Sequence, residues 1–287
     1  MVNTKNRIAE VINSYLNYKQ DYLLSDLESF VDLPNKFPRS PLRYPGGKNR
    51  AIKSIISLIP ENETTLCSPF LGGASIELAC TTRMTVYGSD IFEPLTDFWK
   101  SLIANKEKLI DLVKSYFPLE KEDFYKLQKK LIYIEDPIVR GAAFFVLNRS
   151  SFSGTTMSGG MSPGHPRFTI SSIERLKHFH AKNFYVENLD YKDAISNNPD
   201  AFLYLDPPYL NGQALYGIKG NTHKDFDHEE LASILNNRDR WIMSYNDCEE
   251  IRDLYRNFTI ISIEWVYGMS KNKNSNEILI LSKDLIS

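Results

Sequence analysis

Seven short runs dense in β-branched and aromatic residues punctuate this 287-residue chain: TTLCS, MTVYGSD, NFYVENL, AFLYLD, RWIMSYN, FTIISIEWV and NEILILS. Runs this short and this rich in β-formers read as strands. Helical stretches lie between them. In IKSIISLI, for example, Ile52, Ile55, Ile56 and Ile59 share one face. The alternation predicts an α/β architecture, a seven-stranded, mostly parallel sheet with helices on both faces. In open sheets of this kind ligands collect at the carboxyl ends of the strands. Those ends are therefore where chemistry is to be sought.

A hydrophobic content of 42% is enough for one large core. The net charge of −2 excludes a molecule that is basic overall, so any nucleic-acid surface must come from local charge. Residues 101–185 supply it, with 13 Lys and Arg against 8 Asp and Glu. This segment reads as a basic, largely helical insertion between a first half (39–100) and a second half (186–287). Residues 1–38 form an extension in which Ile8, Val11, Ile12, Tyr15 and Leu16 follow helical spacing. That helix either packs on the main body or serves a partner. Cys67, Cys80 and Cys248 are scattered and form no metal-binding or disulfide pattern. No window is apolar enough to span a membrane, and a cytoplasmic protein is expected.

Three motifs end at strands. PFLGGAS, Pro69 to Ser75, is a glycine turn between a strand and a helix, the setting for a nucleotide-like cofactor or for a bare turn. It fits neither the dinucleotide nor the triphosphate fingerprint. Asp90 closes the next strand, placed either to accept hydrogen bonds from ribose hydroxyls or to cap a helix. DPPY, Asp206 to Tyr209, is the sharpest signal. Two successive prolines stiffen the backbone and hold a carboxylate, a carbonyl and an aromatic ring in fixed relation. That set suits a planar amino-heteroarene, with two acceptors for the amino hydrogens and a ring for its face. A rigid turn with no ligand is the plainer alternative.

The order PGGK, PFLGG, SD, a basic insertion, ENLDY and DPPY resembles the Dam-type adenine-specific DNA methyltransferases, from about residue 40 onward. The resemblance implies the class I S-adenosylmethionine-dependent methyltransferase fold, with a target-recognition insert. It also implies roles for matching residues. Tyr44, Gly46, Gly47 and Lys48 would sit at the cofactor. Phe70, Leu71, Gly72 and Gly73 would line its methionine end, with Pro69, Ala74 and Ser75 of the same turn also binding the cofactor. Asp90 would take its ribose hydroxyls, Ile91 would lie against its adenine, and Asp190 would reach that adenine's amino group. Asp206, Pro207, Pro208 and Tyr209 would be catalytic, with Asp206 also touching the cofactor. Arg43 would face DNA.

Within the insertion, NRSSFSGTTMSGGMSPGHPRF reads as a hairpin-like loop or a surface tract, with Asn148, Arg149, Ser153, His165 and Arg167 as candidate DNA contacts. No metal is expected. The expected partners are double-stranded DNA and, within a restriction-modification system, a cognate endonuclease. One departure stands out: family turns commonly read F-x-G-x-G, and Ala74 occupies the final glycine position. Alanine is harmless there unless φ is positive.

The alternatives are an exocyclic cytosine methyltransferase, an enzyme acting on RNA or a protein amide, and an inactive cofactor- or DNA-binding module. Chemistry on the cytosine ring itself is disfavoured, because the chain has no Pro-Cys dipeptide.

Overall fold

The computed structural model describes residues 37–44, 46–49, 51–162, 167–210, 226–266 and 274–286. The expected N-terminal helix, His165, most of the segment after DPPY and the loop at 267–273 lie outside them.

All seven expected strands form: β1 Thr65–Ser68, β2 Thr85–Asp90, β3 Phe184–Asn188, β4 Phe202–Leu205, β5 Trp241–Asn246, β6 Thr259–Val266 and β7 Asn274–Leu281. They make one sheet in the order β3-β2-β1-β4-β5-β7-β6. The first five in that order run parallel, and β7 pairs antiparallel with both β5 and β6. The order reverses between β1 and β4, which places a crevice at the carboxyl ends of those two strands. This is the α/β class I methyltransferase arrangement.

The strand at the centre shows why the sheet holds. Phe202, Leu203, Tyr204 and Leu205 of β4 are all at most 2% exposed. A continuous apolar run is what a parallel strand covered on both faces requires. Phe202 and Tyr204 join one hydrophobic cluster, while Leu203 and Leu205 join the other, following the two-residue alternation of a strand. Helices cover both faces: α1 Ile52–Ser57, α2 Ser75–Cys80, α3 Glu93–Ala104, α4 Lys106–Ser115, α5 Lys121–Lys130, α6 Pro137–Ser150, α7 Ile170–Lys177, α8 Tyr191–Asn197, α9 His228–Asn236 and α10 Glu249–Leu254. The expected cap of α9 is present, since Asp227 accepts from the Glu230 amide at 2.8 Å.

The helices of 101–185 share the first cluster with the sheet and build no core of their own. Their centre is α6, buried from Arg140 to Ser150. Asp136 caps it by accepting from the Ile138 and Val139 amides. Gly141 lets α3 approach closely: a Cβ there would lie 2.8 Å from the Phe98 nitrogen. Arg140 fixes the pair by donating to Asp97 at 2.6 Å and to the Ile134 carbonyl at 2.7 Å, and by pairing with Glu93 at 2.7 Å.

Ala74 has φ 54° and ψ 37°, the left-handed region that favours glycine. That conformation costs a non-glycine residue about 1–2 kcal/mol, partly offset by alanine's smaller entropy loss on folding. Ala74→Gly is expected to raise the thermal midpoint by about 1–3 °C. Glu77 is buried at 2% exposure and accepts from the Ser68 hydroxyl at 2.6 Å. Burial, opposed by that hydrogen bond, pushes its carboxyl up to about 7. A folded-state pKa above the ordinary 4.5 means this contribution to stability is complete below pH 4.5 and is lost as pH rises through 7. Glu77→Gln keeps the shape and removes the charge. Chemical denaturation between pH 5 and 8 is expected to show the variant losing less stability than the parent, by roughly 1–3 kcal/mol.

Candidate active site

The glycine turn and Asp90 face each other across the ends of β1 and β2. The Gly72 amide donates to Asp90 Oδ2 at 3.1 Å and the Phe92 amide to Oδ1 at 3.0 Å. Burial raises the Asp90 carboxyl to about 6, and these amides work in the other direction. Each oxygen keeps a second lone pair for a ligand hydroxyl. Ile91, next in sequence, is 66% exposed, an uncovered apolar side chain beside the carboxylate. Gly72 has φ 44°, and a Cβ on it would meet the Tyr44 ring at 2.8 Å. A Cβ on Gly73 would meet Tyr44 Cβ at 2.7 Å. The two glycines therefore let Tyr44 lie on the turn. Leu71 is tied to the strand through its amide and the Ser89 carbonyl at 2.9 Å, and the Trp99 indole holds the Gly72 carbonyl at 3.2 Å. Asp190 follows β3 and caps α8 by accepting from the Lys192 amide. The neighbouring Tyr191 stacks on Phe70, with centroids 5.6 Å apart.

The tetrapeptide leaves β4 directly. Lys48, only 4% exposed, reaches Asp206 Oδ1 at 3.0 Å and Glu277 Oε1 of β7 at 3.9 Å, and donates to the Gly46 carbonyl at 2.9 Å. Its ammonium also lies 5.1 Å from the centre of the Tyr209 ring. Lys48 is thus placed on the Asp206 carboxylate, while its neighbour Asn49 reaches Ser75 of the glycine turn at 3.4 Å. Pro207 is buried, and Tyr209 stacks on Tyr245 at 5.6 Å and 22°.

The insertion's loop closes on itself: Ser151 bridges Met161, the Phe152 amide donates to the Gly160 carbonyl, and the Ser162 amide to that of Ser150. Two expected DNA contacts lie inside the fold. Asn148 is wholly buried. Its amide group accepts from the Arg43 nitrogen at 2.9 Å and donates to the Arg43 and Gly154 carbonyls at 2.7 and 3.1 Å. Arg149 is 8% exposed and donates to the Pro41 and Arg167 carbonyls. Burial, together with the neighbouring cations Arg175, Arg43 and Arg167, lowers its pKa to about 10. It shapes the loop and adds charge beneath it. Arg43, Ser153 and Arg167 stay at least partly exposed.

Sequence reasoning missed Glu277, Tyr245 and His228. Glu277 was detectable as a charge within an apolar strand, and Tyr245 as a polar aromatic near a strand end. His228 carried no signal. Among the described residues no group of acids, histidines and cysteines is arranged to hold a metal ion, and no helix is long and apolar enough to cross a membrane.

A family model described as D12 class N6 adenine-specific DNA methyltransferase matches residues 44–269. The chain is 25% identical over 241 residues to the DNA N-6-adenine-methyltransferase of Escherichia phage P1, covering 77% of this chain but only 31% of that longer protein. It is 26% identical over 262 residues to the Retron Ec67 DNA adenine methylase of Escherichia coli, covering 84% of this chain and 90% of the relative. Against the Type II methyltransferase M1.LlaDCHI of Lactococcus lactis subsp. cremoris it is 22% identical over 254 residues, covering 80% and 89%. The matched span takes in both the glycine turn and the tetrapeptide, and the chain belongs to the D12 class of N6 adenine-specific DNA methyltransferases.

Proposed function

We propose that this enzyme transfers a methyl group from S-adenosylmethionine to the exocyclic amino group of an adenine flipped out of double-stranded DNA. The observation that carries the reading is Asp206, delivered by a buried strand and held by Lys48 beside Tyr209. The donor site fits the residues present: a carboxylate with spare lone pairs at Asp90, an uncovered Ile91, and a turn whose glycines keep the backbone close. Tyr44, Phe70, Gly72, Gly73, Asp90, Ile91 and Asp190 would hold the donor, and Ala74 and Ser75 would carry the turn into α2. When bound, S-adenosylmethionine supplies an electrophilic methyl group on a sulfonium sulfur.

An adenine amino group is a weak nucleophile because its lone pair is delocalised into the ring. Lys48 takes Asp206 Oδ1 and leaves Oδ2 to accept one amino hydrogen. The Pro207 carbonyl accepts the other. Two acceptors fixed in this way draw the lone pair out of conjugation and aim it, so positioning and preorganised electrostatics carry the rate. A base inside a duplex cannot reach a strand-end site, so it must leave the stack. Tyr209 receives its face, a contact of roughly 1–3 kcal/mol. Arg43 and Arg167 lie where they would meet phosphates. The name of the Lactococcus relative favours a restriction-modification setting with a cognate endonuclease.

Asp206→Ala is expected to abolish transfer of labelled methyl groups to DNA, and a wild-type rate would refute the mechanism. Expression in a methylation-free host, followed by mapping of modified bases, is expected to give N6-methyladenine at one short sequence. Methylated cytosine would instead support the exocyclic cytosine reading. Arg167→Ala is expected to weaken DNA binding and reduce the salt slope by about one, measured by titration at several salt concentrations.

A further inference from the structure

We infer that Tyr245 and His228 clamp the catalytic tetrapeptide from behind, making Tyr245 a positioning residue for methyl transfer. The inference rests on the reading of DPPY as the site of transfer.

The need for a clamp follows from the tetrapeptide's composition. Pro207 and Pro208 have no N–H, so the turn cannot be stapled by its own amides in the usual way. Proline fixes φ and leaves ψ free. A rotation at Pro208 would swing its carbonyl and re-aim the Tyr209 ring that follows. The restraint must come from outside the turn, and β5 supplies it. Tyr245, 1% exposed, donates its hydroxyl to the Pro208 carbonyl at 3.3 Å. Its ring stacks on Tyr209 at 5.6 Å and 22°. One side chain therefore fixes both the peptide plane and the ring expected to receive the base. The register between β4 and β5, with Leu205 opposite Met243, sets Tyr245 at the right height.

A tyrosine hydroxyl has one proton, and this one touches two acceptors. Tyr245 Oη is hydrogen-bonded to His228 Nδ1 as well as to Pro208. If the hydroxyl donated to the imidazole, the Pro208 carbonyl would lose its donor. With Nδ1 protonated, His228 donates to Oη and directs the hydroxyl proton to Pro208. His228 is held by position. It is the first residue of α9, directly after the cap Asp227, and its ring lies edge-on to Phe226 at 5.0 Å. Phe226 packs in turn on Phe70 of the glycine turn at 5.6 Å. A row of rings thus runs from the donor side to the tetrapeptide.

Tyr245→Phe keeps the ring and removes the hydroxyl. His228→Ala removes the Nδ1 donor, and His228→Asn returns an N–H at similar reach. The test is single-turnover transfer of labelled methyl groups from S-adenosylmethionine to duplex DNA, alongside dissociation constants for both substrates. Tyr245→Phe and His228→Ala are each expected to slow transfer about tenfold, the effect of one lost hydrogen bond, with dissociation constants within about twofold of the parent. His228→Asn is expected to recover most of the rate. Wild-type transfer by Tyr245→Phe and His228→Ala, with Asp206→Ala inactive, would overturn the clamp and leave the site reading intact. A loss confined to substrate affinity would overturn it too. Wild-type transfer by Asp206→Ala would remove the reading on which the clamp rests.

Discussion

A lysine ammonium that is 4% exposed must find anions, because burying an unpaired charge costs far more than any one contact returns. Lys48 finds two, Asp206 at 3.0 Å and Glu277 at 3.9 Å. The three residues come from the segment before α1, from the end of β4 and from β7. Their meeting commits those segments to one geometry, and it divides the labour of Asp206. Oδ1 answers to the lysine, and the Asp206 side chain stays 26% exposed. The lysine also lies over Tyr209. A group assigned by resemblance to cofactor binding therefore also orders the DPPY turn, and its removal would take a cation from both carboxylates.

The glycine turn is organised by backbone more than by charge. Tyr44 can lie on the turn only because residues 72 and 73 have no Cβ. The turn is then tied to β2 through the Gly72 amide on Asp90 and the Leu71 amide on Ser89. Ala74 holds a left-handed backbone in the same turn, so some strain sits where the donor would bind. Such strain persists because its neighbours on both sides are fixed.

Much of this was legible in the sequence. All seven strands announced themselves through β-branched and aromatic residues, and DPPY through its two prolines. What could not be read depended on pairing across the sheet. Asn148 and Arg149 stand at the head of a Gly- and Ser-rich tract and look like surface residues. They are buried because α6 is covered all round, which no local pattern conveys. Its glycine and alanines look like low helix-packing potential, yet they are what allows α3 to come close. Tyr245 meets Pro208 only through the β4–β5 register, and His228 meets Tyr245 only through the entry angle of α9. The sign of φ at Ala74 was likewise invisible, although alanine in place of a family glycine marked where to look.

Residues 41–48 connect these parts. Arg43 is gripped from the insertion's side: Asn148 binds both its nitrogen and its carbonyl, and Gly154, at φ 80°, passes so close that a Cβ would lie 1.9 Å from that carbonyl. Tyr44 lies on the glycine turn, and Lys48 reaches the tetrapeptide. The 151–162 loop, the glycine turn and the Asp206 carboxylate are thus each in contact with a residue of this short stretch. Arg43 is fixed by a buried amide and Lys48 by an ion pair that is buried on the lysine side. A shift of the 151–162 loop would act on Arg43 directly, because Asn148 and Gly154 hold its backbone from that side.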